Sequence, residues 1–154
     1  MRSDSLATIL IAEDNDGHSR LLQRGLKDAG AQNPVIRFRD GVEAWDFISG
    51  KSEPCLDPAK RYLLFLDIRM PNMDGIEVLR RLKADRRFRH IPVIMLTTSD
   101  DPEELRRCRE LGCDKFSIKP IAVEEFAQIF GLPLGPGSEI SPAAAAENKD
   151  SAPA

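Results

Sequence analysis

Five short apolar runs recur along the chain: Thr8–Ala12 (TILIA), Pro34–Phe38 (PVIRF), Tyr62–Leu66 (YLLFL), Pro92–Leu96 (PVIML) and Lys115–Ile118 (KFSI). The first, third and fourth are nearly continuous in Leu, Ile, Val and Phe, the pattern of parallel strands covered on both faces. Between the runs, apolar residues return at helical spacing. Leu22, Leu26 and Ala29 mark a first helix stopped by Gly30, and Val42, Trp45 and Ile48 a second stopped by Gly50. Ile76, Leu79 and Leu82 mark a third. Leu105, Cys108 and Leu111 mark a fourth, opened by Asp101-Pro102 and closed by Gly112, and Phe126, Ile129 and Phe130 suit a short fifth. Strict alternation of strand and helix predicts right-handed crossovers and a doubly wound α/β fold, a five-stranded parallel sheet with five helices.

Two segments break the rhythm. Lys51–Arg61 is a polar, Pro-containing loop, expected at the end of the sheet away from the strand C-termini. After Phe130 the chain is mostly Ala, Pro, Ser and Gly, a composition that cannot fill a core. The expected division is an N-terminal extension over residues 1–6, one folded domain over 7–130 and a disordered tail over 131–154, with no room for an attached DNA-binding domain.

Composition narrows the function classes. In 154 residues, 22 Lys+Arg against 25 Asp+Glu give a formal charge of −3, with no basic excess for nucleic acid or an anionic membrane. The bases of Arg80–His90 read as a solvated face and helix-terminal charge. Cys55, Cys108 and Cys113 are odd in number and lack metal-ligand spacing, which favours free thiols in a reducing cytoplasm. No apolar run approaches the roughly 18–20 residues that cross a bilayer. The expectation is a cytoplasmic protein with neither nucleic acid nor membrane as partner.

Chemistry gathers at the strand ends, where open α/β sheets bind their ligands. The first strand ends in Glu13-Asp14, the third in Asp67, the fourth in Thr97-Thr98 and the fifth in Lys119-Pro120. Neighbouring strands lie about 4.8 Å apart, so these residues can share one pocket. Three carboxylates so close repel one another, and a hard divalent cation such as Mg²⁺ relieves the repulsion. A lysine and a threonine hydroxyl facing that cluster suit a phosphoryl group. Asp67 is then a nucleophile that becomes an acyl phosphate, with Mg²⁺, Lys119 and Thr97 balancing charge on the transferring oxygens. Each residue also has a plainer reading: a solvated acidic loop, a helix cap, a strand-end hydroxyl, a surface lysine. His18 and His90 are expected to have no catalytic role, and Trp45 to pack with Val42 and Ile48.

Four ordered motifs, ILIAEDN, LDIRMPNMDGIEVL, IPVIMLTTS and CDKFSIKPI, make the chain resemble the receiver domains of two-component response regulators over about Ala7–Phe130. The resemblance implies a flavodoxin-like (βα)5 fold and a chemotaxis-regulator-like signalling protein, not an enzyme beyond its own phosphorylation and dephosphorylation. It implies Asp67 as phosphoacceptor and Mg²⁺ bound by Asp14, Asp67 and the Arg69 backbone carbonyl, with Glu13 acting through water. It implies Thr97 and Phe116 as switch residues and Lys119 as the phosphate-binding amine. Pro120 is expected to follow a cis bond, and Pro71 and Gly75 to shape the loop after the acceptor, Gly75 with a positive φ. The phosphate would come from a sensor histidine kinase or a histidine phosphotransfer protein, and the Lys119–Phe126 stretch resembles small regulators paired with bacterial phytochrome kinases. Output would pass through the helix 4–strand 5–helix 5 face. Self-association there, as a homodimer, is expected because Phe126, Ile129 and Phe130 look too apolar for a short helix to bury.

Two other classes stay open on the sequence. A haloacid-dehalogenase-type phosphatase also uses a strand-end Asp and Mg²⁺, but carries a general-acid Asp two residues later, where this chain has Arg69. A phosphorylation-independent binding module of the same fold is the other. A nucleotide site fails for want of a Gly-rich phosphate loop after the first strand.

Overall fold

The computed structural model describes residues 6–130; the expected tail over 131–154 and all but the last residue of the expected extension lie outside them. Five strands alternate with five helices: β1 (Thr8–Ala12), α1 (Asp16–Asp28), β2 (Val35–Phe38), α2 (Gly41–Ser49), β3 (Tyr62–Asp67), α3 (Gly75–Ala84), β4 (Val93–Thr97), α4 (Pro102–Leu111), β5 (Lys115–Ile118) and α5 (Val123–Phe130). All pairings are parallel and the sheet order is β2-β1-β3-β4-β5. This is the doubly wound flavodoxin-like architecture, with its reversal of strand order at β1 and β3. The three continuous apolar runs are the three central strands, buried along their whole length. Edge strands β2 and β5 are only partly covered, in keeping with their more polar sequences.

Each sheet face has its own core. Leu10, Leu64, Leu66 and Met95 pack under α2, α3 and α4 with Ala44, Phe47, Leu79 and Cys108. Ile9, Ile11, Leu63, Phe65, Ile94 and Leu96 pack under α1 and α5 with Leu22, Leu26, Phe126 and Ile129. Burying each of these large side chains contributes about 1.5–3 kcal/mol, enough together to order the loops above the sheet. Asn15, Asp40, Asp74 and Asp101 cap α1 to α4, each side chain accepting a first-turn N–H. The Lys51–Arg61 loop joins α2 to the start of β3, at the end of the sheet opposite the strand C-termini. There the Tyr62 hydroxyl accepts the Asp57 N–H at 2.9 Å.

Two expectations need correction. Gly75 has no positive φ; in this loop it is Asn72 that takes the left-handed region, at φ 68°. Glycine is needed at 75 for space, because a Cβ there would collide with the Asp67 carbonyl oxygen. Second, Phe126 and Ile129 are fully buried rather than left over as surface. Gly25 explains this: a Cβ there would stand 2.7 Å from Phe126 Cε2, so its absence lets the ring reach the core between α1 and β3. The side chain of Phe130 lies outside the described set.

Candidate functional site

The parallel register delivers the strand-end residues to one rim. Ala12 pairs with Leu66, so Glu13 and Asp67 end neighbouring strands side by side. Asp67 pairs with Leu96 and Thr97 with Ile118, which carries Thr97 and Lys119 to the same level. Carboxylate oxygens of Glu13, Asp14 and Asp67 all lie within 4.8 Å of one another. They line a cavity of about 200 Å³ together with Thr97, Lys119 and His18. Asp67 is only 4% exposed and Glu13 is buried, whereas Asp14 stands open to solvent.

Lys119 supplies the fixed cation. Its Nζ donates to Glu13 Oε1 at 2.7 Å and lies 3.3 Å from Asp67 Oδ1. Its backbone N–H donates to the Thr97 carbonyl at 2.7 Å, and the Lys119–Pro120 bond is cis, as expected. Thr97 is buried, and its Oγ1 accepts the Ser99 N–H at 3.0 Å. Phe116, paired with Met95, is half-buried beside the core under α4. Arg69 lines the cavity, but its guanidinium turns outward to Glu104 on α4, at 2.7 Å. Pro71 accepts the Met73 N–H and Gly75 donates to the Ile68 carbonyl, folding the loop back beneath Asp67.

The charges are unevenly shared. Desolvation, then the neighbouring Glu13 carboxylate, pushes Asp67 up to about 7 despite Lys119. Burial alone would raise Glu13 as well, but the Lys119 ammonium and the Asn15 N–H outweigh it and hold Glu13 below the usual carboxylate range. One lysine therefore satisfies one of the two buried acids. An all-oxygen donor set with unbalanced negative charge fits a hard dication such as Mg²⁺.

Three contributors escaped the strand-end rule because they come from other places. His18, on the first turn of α1 and not directly after a strand, brings Nδ1 to 3.1 Å from Lys119 Nζ. Its one turn of separation from Asp14 is the signal that was available. Arg37, near the end of β2, donates Nε at 3.0 Å and Nη2 at 2.8 Å to the Glu13 carbonyl and Nη1 to Asp16 at 2.6 Å. It pins the acidic loop to the sheet edge. Glu104 was hidden because only the tertiary fold brings α4 to Arg69.

Known proteins resemble this chain in sequence and fold. The family model of the response regulator receiver domain matches residues 9–130. The polar-differentiation response regulator DivK of Brucella ovis is 33% identical over 128 residues, covering 83% of this chain and 96% of the relative. A response regulator receiver domain from Rhodospirillum rubrum superimposes with a TM-score of 0.68 at 34% identity, over 80% of this chain and 87% of that one. The bacteriophytochrome response regulator AtBRR gives a TM-score of 0.70 at 37% identity, over 80% and 89%.

Proposed function

The chain belongs to the response regulator receiver domain family, and from that premise we propose that it carries a phosphoryl group on Asp67 in a two-component relay. The observation that carries the reading is the buried Asp67 carboxylate, flanked by Glu13, Asp14 and the Lys119 ammonium at one strand-end cavity. In the proposed step a phosphohistidine of a sensor kinase or histidine phosphotransfer protein is the donor. A bond forms between an Asp67 carboxylate oxygen and phosphorus, the P–N bond breaks, and the nitrogen keeps the electron pair as imidazole. The likeness to AtBRR supports a bacteriophytochrome kinase as that donor.

Asp14, Asp67 and the Arg69 carbonyl would hold Mg²⁺, with Glu13 acting through water. Once bound, the ion offsets negative charge on the acids and on the incoming phosphoryl oxygens. Lys119 neutralises a second oxygen, and the Thr97 hydroxyl turns from its present partner to donate to a third. That movement draws Phe116 inward and changes the α4–β5–α5 face, biasing a pre-existing equilibrium that a partner reads. Self-association through that face no longer rests on Phe126 and Ile129; Ile118, 45% exposed on β5, is the apolar residue that supports it. The phosphatase alternative is disfavoured, because the Arg69 guanidinium is paired with Glu104 and is no acid.

Intact-mass measurement after incubation with Mg²⁺ and phosphoramidate tests the reading. One added phosphate of about 80 Da is expected, absent in Asp67→Asn. Many turnovers of simple phosphomonoesters would instead favour the phosphatase.

A further inference from the structure

Lys119 does not face the two acids alone. An ammonium has three N–H bonds. Here Nζ donates to Glu13 Oε1 at 2.7 Å, stands 3.1 Å from His18 Nδ1, and forms an ion pair with Asp67 Oδ1 at 3.3 Å. The backbone of His18 is itself fixed, its N–H donating to Asn15 Oδ1 at 2.9 Å, so the imidazole arises from the capped first turn of α1. Facing an ammonium, Nδ1 is the lone-pair nitrogen and the proton stands on Nε2. The ring is 42% exposed and forms a wall shared by the acidic cavity and a cavity of about 360 Å³ beside Leu21, Leu22 and Ile121.

We infer that His18 is a positioning residue for Lys119: by accepting one of its N–H bonds, the imidazole holds the ammonium beside the Asp67 carboxylate, where the transferring phosphoryl group arrives. The inference rests on the phosphorylation reading above. Glu13 Oε1 and His18 Nδ1, 3.8 Å from each other, hold the ammonium from two neighbouring directions. Without the imidazole, that N–H turns to water and the lysine gains freedom it must lose again in the transition state. The contribution assigned to the imidazole is orientation of the ammonium. An asparagine at 18 would place Oδ1 close to where Nδ1 stands, since both atoms are bonded to Cγ. Leucine keeps the bulk and removes the acceptor.

The experiment compares phosphoramidate-driven phosphorylation rates at saturating Mg²⁺ in wild type, His18→Leu and His18→Asn, and repeats His18→Leu in a Lys119→Ala background. We expect His18→Leu to be about five-fold slower at saturating donor, the size of one misplaced contact to the reacting group. We expect His18→Asn to recover most of the rate, and His18→Leu to cost nothing further once Lys119 is gone. Unfolded variants are recognised by their circular dichroism melts, and the half-exposed site makes both substitutions tolerable. Equal or faster rates in His18→Leu, or an equal loss with and without Lys119, overturn the inference while leaving the phosphorylation reading standing. A wild-type protein that takes no phosphate overturns that reading, and the inference with it.

Discussion

At the scale of single residues, the site is defined by an imbalance: two buried acids, a third at the rim and one lysine. Asp67 bears the consequence, its carboxyl raised to about 7 by burial first and by Glu13 second. The folded state thus binds a proton at Asp67 that the unfolded chain releases near pH 4. A raised acid favours folding at low pH, so this contribution is lost as pH climbs from about 4 to about 7. In chelator, wild type should lose melting temperature relative to Asp67→Asn across that window, and Mg²⁺ should restore it increasingly toward pH 8. A pH-independent difference would contradict the assignment. Arg37 offers a second test. Its two N–H bonds to the Glu13 carbonyl fix the backbone between two acids, so Arg37→Ala should weaken Mg²⁺ binding several-fold by calorimetry, at a stability cost of about 1–2 kcal/mol.

At the scale of elements, the order of strands and helices was legible because each central strand is a continuous apolar run and each helix keeps its 3.6-residue stripe. That Asp67, Glu13, Asp14, Thr97 and Lys119 come together was legible for a related reason: each stands at or directly beside the end of an apolar run. Side chains that enter the site from a helix or from within an edge strand had no such marker. His18 and Arg37 contact it through reach rather than chain position, and Glu104 through the packing of α4. The surface assigned to α5 failed differently, since helical spacing shows which residues share a face but not how deep the receiving groove is. Gly25 supplied that depth. Phe126→Ala should therefore behave as a core truncation, costing about 3–5 kcal/mol in denaturant unfolding, rather than as a neutral surface change. Gly75→Ala presses a methyl group on the Asp67 carbonyl and should cost about 3 kcal/mol while slowing phosphorylation.

At the scale of the whole molecule, the site sits at one end of the sheet and Lys119 joins it to β5, the strand that also carries Phe116 and Ile118. A phosphoryl group on Asp67, as proposed, would thus reach the α4–β5–α5 face through the Lys119 ammonium, 3.3 Å from Asp67 Oδ1, and the backbone of β5. Lys119→Ala should leave the fold intact and still allow some phosphorylation, yet blunt the amide shifts of β5 and α5 in heteronuclear NMR. Wild-type-like shifts in that variant would remove the lysine from the switch. All of this depends on where the phosphoryl group goes. Borohydride reduces an aspartyl phosphate to homoserine, so peptide mass spectrometry after phosphoramidate, Mg²⁺ and borohydride reads the acceptor directly. Homoserine at position 67, dependent on phosphoramidate, is the expected result; homoserine at another position, or a phosphate that resists reduction, would contradict it.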